Sequence, residues 1–426
     1  MSGVPDNLEA RVLDAAVEFF ERPFLKPLQI SSGSITRITE ARVRVRVLCN
    51  GREGTGRGNV YLSDLWAWPD PSLSHEERDA RLRRECQTIA TTLDSLTAGE
   101  PAHPLELGLR LHHAVYHGQE TMPVLARAMC ASPFDAAIHD GCGQAVGISA
   151  FRFYDHDVPL PIADAALGGG ACRAIRDLLR PPVQELPAWV IVSRGDDLEK
   201  DVLPWVRERG YRCFKVKVLG RSNTDDAART SEVYRAARRF GVSRPRLSVD
   251  SNEANPDAAS VLEYLEMLHS MDPEAYGALE YLEQPTPRDI QAHPVDWTAV
   301  ARLKPVMLDE GLTSLDLLPL AREQSWSGLA LKTCKGHSFA LVAAAWARRH
   351  GMLLSLQDLT NPGYSAIHAA LLAAHVEFIN GMELNSPQYT PDANADWLPR
   401  LSGLFQPREG IHRLEDCWPA GLGGSL

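Results

Sequence analysis

The sequence predicts an α/β fold, a (β/α)8 barrel preceded by an α+β capping domain. Two observations carry this. Residues 212–385 hold a series of short apolar runs, each ending in a charged or amide residue. They read Cys213-Phe-Lys-Val-Lys217, Leu247-Ser-Val-Asp250, Leu279-Glu-Tyr-Leu-Glu283, Val306-Met-Leu-Asp309-Glu310, Leu329-Ala-Leu-Lys332, Leu353-Leu-Ser-Leu-Gln357 and Phe378-Ile-Asn-Gly-Met-Glu383. Their tips lie 23 to 33 residues apart, the length of one strand, loop, helix and return. Helix-like segments fall between them at 228–240, 258–270, 315–324, 338–350 and 365–375. Repeated β-α units with functional residues at the carboxyl ends of the strands describe a barrel whose active site lies at that face.

The bulk numbers agree. A chain of 426 residues suits two domains, and 44% hydrophobic with 23% charged residues suits a soluble globular protein. A net charge of −11 argues against a nucleic-acid groove or an anionic membrane surface as partner. The cysteines are scattered without a CxxC pair, which points to a reducing cytoplasm and away from a zinc site. Asp6, Glu9, Arg11, Asp14 and Glu18 exclude a signal-peptide core, and no run approaches a membrane span. The expected protein is cytoplasmic and, by the general rule for soluble enzymes, a homo-oligomer.

From the N-terminus, residues 1–20 read as an amphipathic helix, with Leu8, Val12, Ala15, Ala16 and Phe19 at helical spacing. A polar loop follows through Ser31-Ser-Gly33-Ser. Segment 38–48 alternates Val43, Val45 and Val47 with Arg42, Arg44 and Arg46, a half-exposed strand. Asn50-Gly51 signals a tight hairpin turn. The run Gly54-Thr-Gly56-Arg-Gly58 lacks the strand-to-helix context of a dinucleotide site, so phosphate binding is rejected. A loop at 61–70 carries Trp66 and Trp68, and 74–144 is helical, with Asp135 and Asp140 assigned to packing. The expected division is a capping domain over 1–160, a barrel over 161–385 and a returning segment over 386–426. The first barrel strand is placed at Trp189-Val-Ile-Val-Ser193.

The chemistry lies at the strand tips. Lys215 and Lys217 share one face of a strand, and two adjacent lysines in a desolvated site should lower each other's pKa, making one a usable base. Asp250, Glu283 and Asp309 end three consecutive strands, and three converging carboxylates repel unless a cation holds them. An all-oxygen set selects a hard ion such as Mg²⁺. Asn252 and Glu310 stand beside these ligands, and Glu310 is expected to pair with a lysine. Lys332 ends the sixth strand, opposite the second in an eight-stranded ring, so Lys217 and Lys332 approach one substrate atom from two faces. Lys335 is assigned to a solvated loop, and His337 to a loop role. Lys26, Trp66, Trp68, Gln357, Asp358 and Glu383 are the expected substrate contacts, with a packed lid that touches no substrate as the alternative for the two tryptophans.

In this order, Lys-x-Lys, Asp-x-Asn, Glu283-Gln-Pro285, Asp-Glu and then a lysine, the chain resembles the enolase superfamily, and within it the muconate lactonizing enzyme subgroup. The resemblance implies Lys217 and Lys332 as proton-transfer lysines and Asp250, Glu283 and Asp309 as magnesium ligands. Branches that use a histidine on strand seven are disfavoured, because that strand ends at Gln357-Asp358. The loop Thr333-Cys-Lys-Gly-His337 and the tip Glu383-Leu-Asn385 depart from the family's usual patterns and bear on the substrate. The implied reaction is abstraction of the proton alpha to a small-molecule carboxylate through an enediolate. Two opposed lysines favour racemisation or epimerisation; syn-elimination or cycloisomerisation is the alternative on the same site. A lysine Schiff-base aldolase leaves the three acids unexplained, and a non-catalytic barrel should have lost a ligand or a base.

Overall fold

The computed structural model describes residues 7–117 and 122–426. A three-stranded antiparallel sheet comes first: β1 (Ala10–Ile30), β2 (Gly33–Cys49) and β3 (Arg52–Tyr61), in that order. The helix expected over 1–20 is therefore corrected. Its first six residues lie outside the described residues, and from Ala10 the chain is extended, paired with β2 from Ala10↔Cys49 to Ile30↔Gly33. The same residues satisfy a period of two: Ala15, Val17 and Phe19 turn toward the core while Asp14, Ala16 and Glu18 face water. Pairing along the whole of β2 decides for the strand. Pro23 and Pro27 are accommodated because β1 is an edge strand, with a register shift between Pro23 and Leu28. Asn50 (φ 48°) and Gly51 (φ 75°) make the expected hairpin turn.

Helices α1 (His75–Leu96) and α3 (Val124–Val146) cover this sheet, and α2 (Pro104–Tyr116) packs on α3. The glycine run of β3 serves close packing: a Cβ on Gly56 would fall 1.9 Å from the Ala137 carbonyl oxygen of α3, and one on Gly58 2.3 Å from that of Pro133. Gly56→Ala should force the strand off the helix and cost about 2–3 kcal/mol, measurable by urea unfolding; an unchanged midpoint would contradict the packing role. Asp135 accepts hydrogen bonds from Ser338 N and Oγ, both at 2.8 Å. Asp140 accepts from the backbone N–H groups of Arg57, Leu422 and Gly424. Both acids are structural pins.

Among the described residues a curled, seven-stranded parallel sheet follows in chain order: β4 (Trp189–Val192), β5 (Cys213–Lys217), β6 (Arg246–Asp250), β7 (Leu279–Glu283), β8 (Val306–Leu308), β9 (Gly328–Lys332) and β10 (Leu353–Gln357). The eighth run makes a single bridge, Glu383 with Gln357, supported by Ile379 N to Leu354 O and Glu383 N to Leu356 O, both about 3 Å. Side-chain amides close the ring onto β4. Gln388 accepts from Ile191 N at 3.0 Å and donates to its carbonyl at 2.7 Å, and Asn385 donates to Trp189 O at 3.0 Å. Phe214, Val216, Leu247, Val249, Leu329 and Leu331 face the helix layer. Tyr281, Met307 and Ala330 form a small inner cluster. The terminal segment touches the first sheet, with Tyr61 Oη donating to Thr390 Oγ1 at 2.8 Å.

All eight cysteines are buried and free. Among the described residues no helix is long and apolar enough to cross a membrane.

Candidate active site

Parallel register brings the functional tips level at one end of the sheet: Lys217 pairs with Asp250, Asp250 with Glu283, and Lys332 with Gln357. Across five adjacent strands, β5 to β9, the tips run lysine, aspartate, glutamate, aspartate, lysine. Lys215 Nζ lies 3.1 Å from Asp250 Oδ2, 2.9 Å from Glu283 Oε1 and 3.3 Å from Glu383 Oε2. Lys217 donates to Asp250 Oδ2 at 2.5 Å and to Asn252 Oδ1 at 3.0 Å. Lys332 donates to Asp309 Oδ2 at 2.6 Å and to Gln357 Oε1 at 3.1 Å, and Gln357 Nε2 donates to Glu283 Oε2 at 2.8 Å. The three acids are each 1% exposed.

These groups line a narrow cleft of about 60 Å³ that opens to solvent. Its lining carries three lysines against five carboxylates (Asp250, Glu283, Asp309, Glu310 and Glu383), a formal surplus of two negative charges. The surplus shows in the acids. Burial, reinforced by Asp250 and Asp309, pushes Glu283 up to about 7. Burial with Asp309, Glu253 and Asp250 pushes Glu310 up to about 8. Asp250 goes the other way: burial opposes ionisation, but Lys217 and Lys215 hold it down to about 2. Lys332 and Lys335 outweigh burial at Asp309 and keep its carboxyl well below the usual range.

The expectation of a lowered lysine pKa is overturned at Lys215. Burial alone would lower it, but Glu283, Glu383 and Asp250 outweigh that and hold it well above its ordinary value. Lys332 is raised in the same way by Asp309 and Glu283. Lys335 is also corrected: it is 2% exposed and donates to the Asp309 carbonyl at 2.5 Å and to Asp309 Oδ1 at 3.1 Å. The turn Thr333–Lys335 curls back from β9, so a lysine three residues past Lys332 returns to the same carboxylate. His337 opens helix His337–Arg349, fully buried, with its Nδ1 2.7 Å from His368 Nε2. Glu310 takes the Trp66 indole N–H at 2.9 Å rather than a lysine.

Trp66, Gln357 and Glu383 line the cleft, whereas Lys26, Trp68 and Asp358 stand outside its lining. Lys26 pairs with Asp196 at 3.0 Å, and Trp68 packs under Arg81. Asp358 accepts from Thr360 N at 2.8 Å and Asn385 N at 3.1 Å, shaping the loops beneath the site. Burial is the main cause that raises it, to about 8. A carboxyl raised on folding stabilises the fold while protonated, so its contribution declines as pH climbs from its unfolded value near 4 through about 8. Asp358→Asn should flatten the loss of stability between pH 5 and 8, read by urea unfolding at both; an unaltered slope would contradict that burial. The sequence reading missed the apolar wall of Leu28, Ile30, Ile35, Ile191 and Leu359. The first three come from the β1–β2 hairpin, whose tip is tied to the loop after β6 by Ser31 Oγ donating to Asn252 O at 2.7 Å.

Among the described residues no three acidic, histidine or cysteine side chains converge closely enough to hold an ion as they stand. Ammonium groups occupy the space between the carboxylates. The donor set itself fits a hard divalent cation: three buried carboxylates on successive strands, with two negative charges in excess around them.

A model of the enolase C-terminal domain-like family matches residues 197–423, just over half of the chain. The chain belongs to the enolase superfamily. Solved structures agree in fold along almost the whole length. A muconate lactonizing enzyme from Pseudomonas fluorescens complexed with muconolactone is 20% identical, with TM-score 0.65, covering 98% of this chain and 97% of that one. A dipeptide epimerase from Enterococcus faecalis complexed with magnesium and the dipeptide L-Leu-L-Tyr is 17% identical, with TM-score 0.64, covering 97% and 99%. An N-succinyl Arg/Lys racemase from Bacillus cereus is 17% identical, with TM-score 0.60, covering 89% and 88%. A search of curated proteins returns no match. Other members of the enolase superfamily thus share this chain's architecture from the β1–β2 hairpin to the C-terminal segment.

Proposed function

We propose that this enolase-superfamily chain removes the proton alpha to a substrate carboxylate and returns one at the same carbon, as a Mg²⁺-dependent racemase or epimerase of the muconate lactonizing enzyme subgroup. The observation that carries the reading is the sequence of tips across β5 to β9, in which lysines flank three carboxylates. Asp250, Glu283 and Asp309 are the residues that would hold the cation. When bound, it supplies Lewis-acid charge at the substrate carboxylate and takes over the neutralisation that the lysines now provide. Lys217 and Lys332 then stand on either side of the acidic strands as the proton acceptor and donor.

The remaining residues orient these groups. Asn252 and Gln357 fix the Lys217 and Lys332 ammoniums by accepting from them at 3.0 and 3.1 Å. Lys215, tied to Asp250, Glu283 and Glu383, balances their charge and is a positioning residue. Leu28, Ile30, Ile35 and Trp66 bring apolar surface over the cleft and limit water at the reacting carbon. An elimination or cycloisomerisation needs one lysine base, with the other as a cation. Both lysines here are held by a carboxylate and an amide, which favours a base on each face. A single enantiomer of an N-acyl amino acid, incubated in D₂O with Mg²⁺ and followed by chiral chromatography and NMR, tests this. The expected product is deuterated and stereochemically scrambled. An olefinic or lactone product without scrambling would replace the racemase reading with the elimination class.

A further inference from the structure

Two of the helices that follow active-site strands have no cap of their own. Helix Asn223–Arg239 after β5 is capped by Ser222, which accepts from Asp225 N, and helix Ala258–Met271 after β6 by Asp257, which accepts from Ser260 N at 2.8 Å. Helix His337–Arg349 after β9 and helix Gly363–His375 after β10 start behind Gly336 and Pro362, which have no side-chain acceptor to offer. The capping domain meets their open N–H groups instead: Ser338 N donates to Asp135 Oδ2 at 2.8 Å, and Ser365 N to Asn59 Oδ1 at 2.6 Å. We infer that Asp135 is a positioning residue for the reaction: by capping a barrel helix from the capping domain, it fixes the turn after β9 and with it the Lys332 face of the site. This rests on the two-lysine reaction proposed above and names the lysine that depends on the first domain.

The path from Asp135 to the site is short. Helix α3 packs directly on the turn Thr333–Lys335. Asp135 takes both donors of Ser338, N and Oγ, at 2.8 Å. Gly336, between that turn and the helix, has φ +115°, and a Cβ there would lie 3.2 Å from Asp135 Oδ2. Backbone and acid together thus keep a local capping side chain out of this position. Gly336 N donates to Thr333 O at 3.0 Å and closes the turn. Lys332 ends β9 at its start, and Lys335 within it grips Asp309, the carboxylate that also takes the Lys332 ammonium. A slipped helix start therefore disturbs Lys335, Asp309 and Lys332 as one unit. On the Lys217 side the hairpin tip adds the Ser31 bond to Asn252 O but no helix cap.

Asp135 is itself held in place. His139 Nδ1 lies 3.0 Å from its carbonyl oxygen and 3.2 Å from Oδ1. A Cβ on Gly108 of α2 would fall 2.1 Å from both Asp135 Oδ1 and Ser338 Oγ, so α2 closes over the pair. Burial opposes ionisation, but His139 and the Ser338 donors outweigh it and hold the carboxyl below its ordinary value. The neighbouring unit is tied in the same way. Asn59 Nδ2 donates to Pro362 O at 3.0 Å and Tyr61 N to Asn361 Oδ1 at 2.5 Å, and β10 of that unit carries Gln357, the amide partner of Lys332. A cap needed for the helix alone could stand in the chain beside it, as Ser222 and Asp257 do. A cap that comes from 203 residues away makes the helix start depend on the docked domain.

The test follows alpha-proton exchange in D₂O with Mg²⁺ on separated enantiomers of N-acyl amino acids, for the native chain, Asp135→Ala, Asp135→Asn and Ser338→Ala. Amide hydrogen exchange of the same proteins, without substrate, is read by mass spectrometry. The enantiomer that Lys332→Ala leaves unexchanged should slow about tenfold or more in Asp135→Ala, and the other should stay within about twofold of native. Asp135→Asn keeps one acceptor and should recover part of the loss. Ser338→Ala removes only the hydroxyl bond and should show the same preference in weaker form, which keeps the test open if Asp135→Ala does not fold. Amides at 333–340 should exchange faster in Asp135→Ala, and those at 215–222 at the native rate. Equal slowing of both enantiomers, no slowing, or unchanged amides at 333–340 would overturn the inference. A native chain inert toward every probe, with faster amide exchange still confined to 333–340, sinks the reaction class and keeps the anchor. Native exchange that the variants slow without preference keeps the reaction class and sinks the anchor.

Discussion

Lys332→Ala is expected to lower alpha-proton exchange by about 10²- to 10⁴-fold, and Lys217→Ala by a similar factor, the range that a positioned general base supplies. The two variants should differ in stereochemistry rather than in magnitude. With a base on each face, removing one lysine leaves the other able to exchange the enantiomer whose proton points toward it. Each single variant should therefore wash deuterium into one enantiomer and convert neither. Kinetic NMR on separated enantiomers reads this. A variant that still interconverts enantiomers at the native rate would place the base elsewhere. Urea unfolding of both variants in Mg²⁺ separates a lost base from a lost fold, and Asp309 keeps Lys335 when Lys332 is removed.

Lys335→Met should be the most destabilising change at this end of the sheet, by about 3 kcal/mol in metal-free protein, because it strips a buried carboxylate of a buried cation. The Asp309 carboxylate would retain only Lys332 as a cationic partner, and the Asp309 carbonyl would keep only the Leu312 N–H, at 2.8 Å. The deficit should shrink when Mg²⁺ is added, since a cation bound to the same carboxylate restores the missing charge. Urea unfolding with and without Mg²⁺ gives both numbers. A variant equal to native in stability without metal would show that Lys335 carries no such load, and a deficit unchanged by Mg²⁺ would detach Asp309 from the metal site.

The strand tips were legible because each apolar run stops at a polar residue, and parallel pairing then places those residues level. Lys215, Lys217, Asp250, Glu283, Lys332 and Gln357 follow directly from that rule. The N-terminal strand was not legible, since Leu8, Val12, Ala15, Ala16 and Phe19 satisfy a helical period, and only pairing with a distant partner selects the strand. Lys335 looked like a loop charge because its burial comes from a tight turn and a carboxylate 26 residues earlier. The apolar wall from Leu28, Ile30 and Ile35 is longer-range still: no local pattern tells a hairpin tip that it will lie over a barrel mouth. The pKa error had one source. Lys215 was weighed against its neighbouring lysine, while the carboxylates that surround it dominate its protonation, as they do at Lys332.

One measurement tests the central claim most directly. The native chain, with Mg²⁺, is incubated in D₂O with pooled N-acyl amino acids, dipeptides and hydroxy acids, and loss of alpha protons is followed by NMR before and after chelation with EDTA. The account predicts exchange on at least one compound, its abolition by EDTA and its return with added Mg²⁺. Exchange that persists undiminished in EDTA, or no exchange on any acid while Mg²⁺ is shown to be bound, would contradict it.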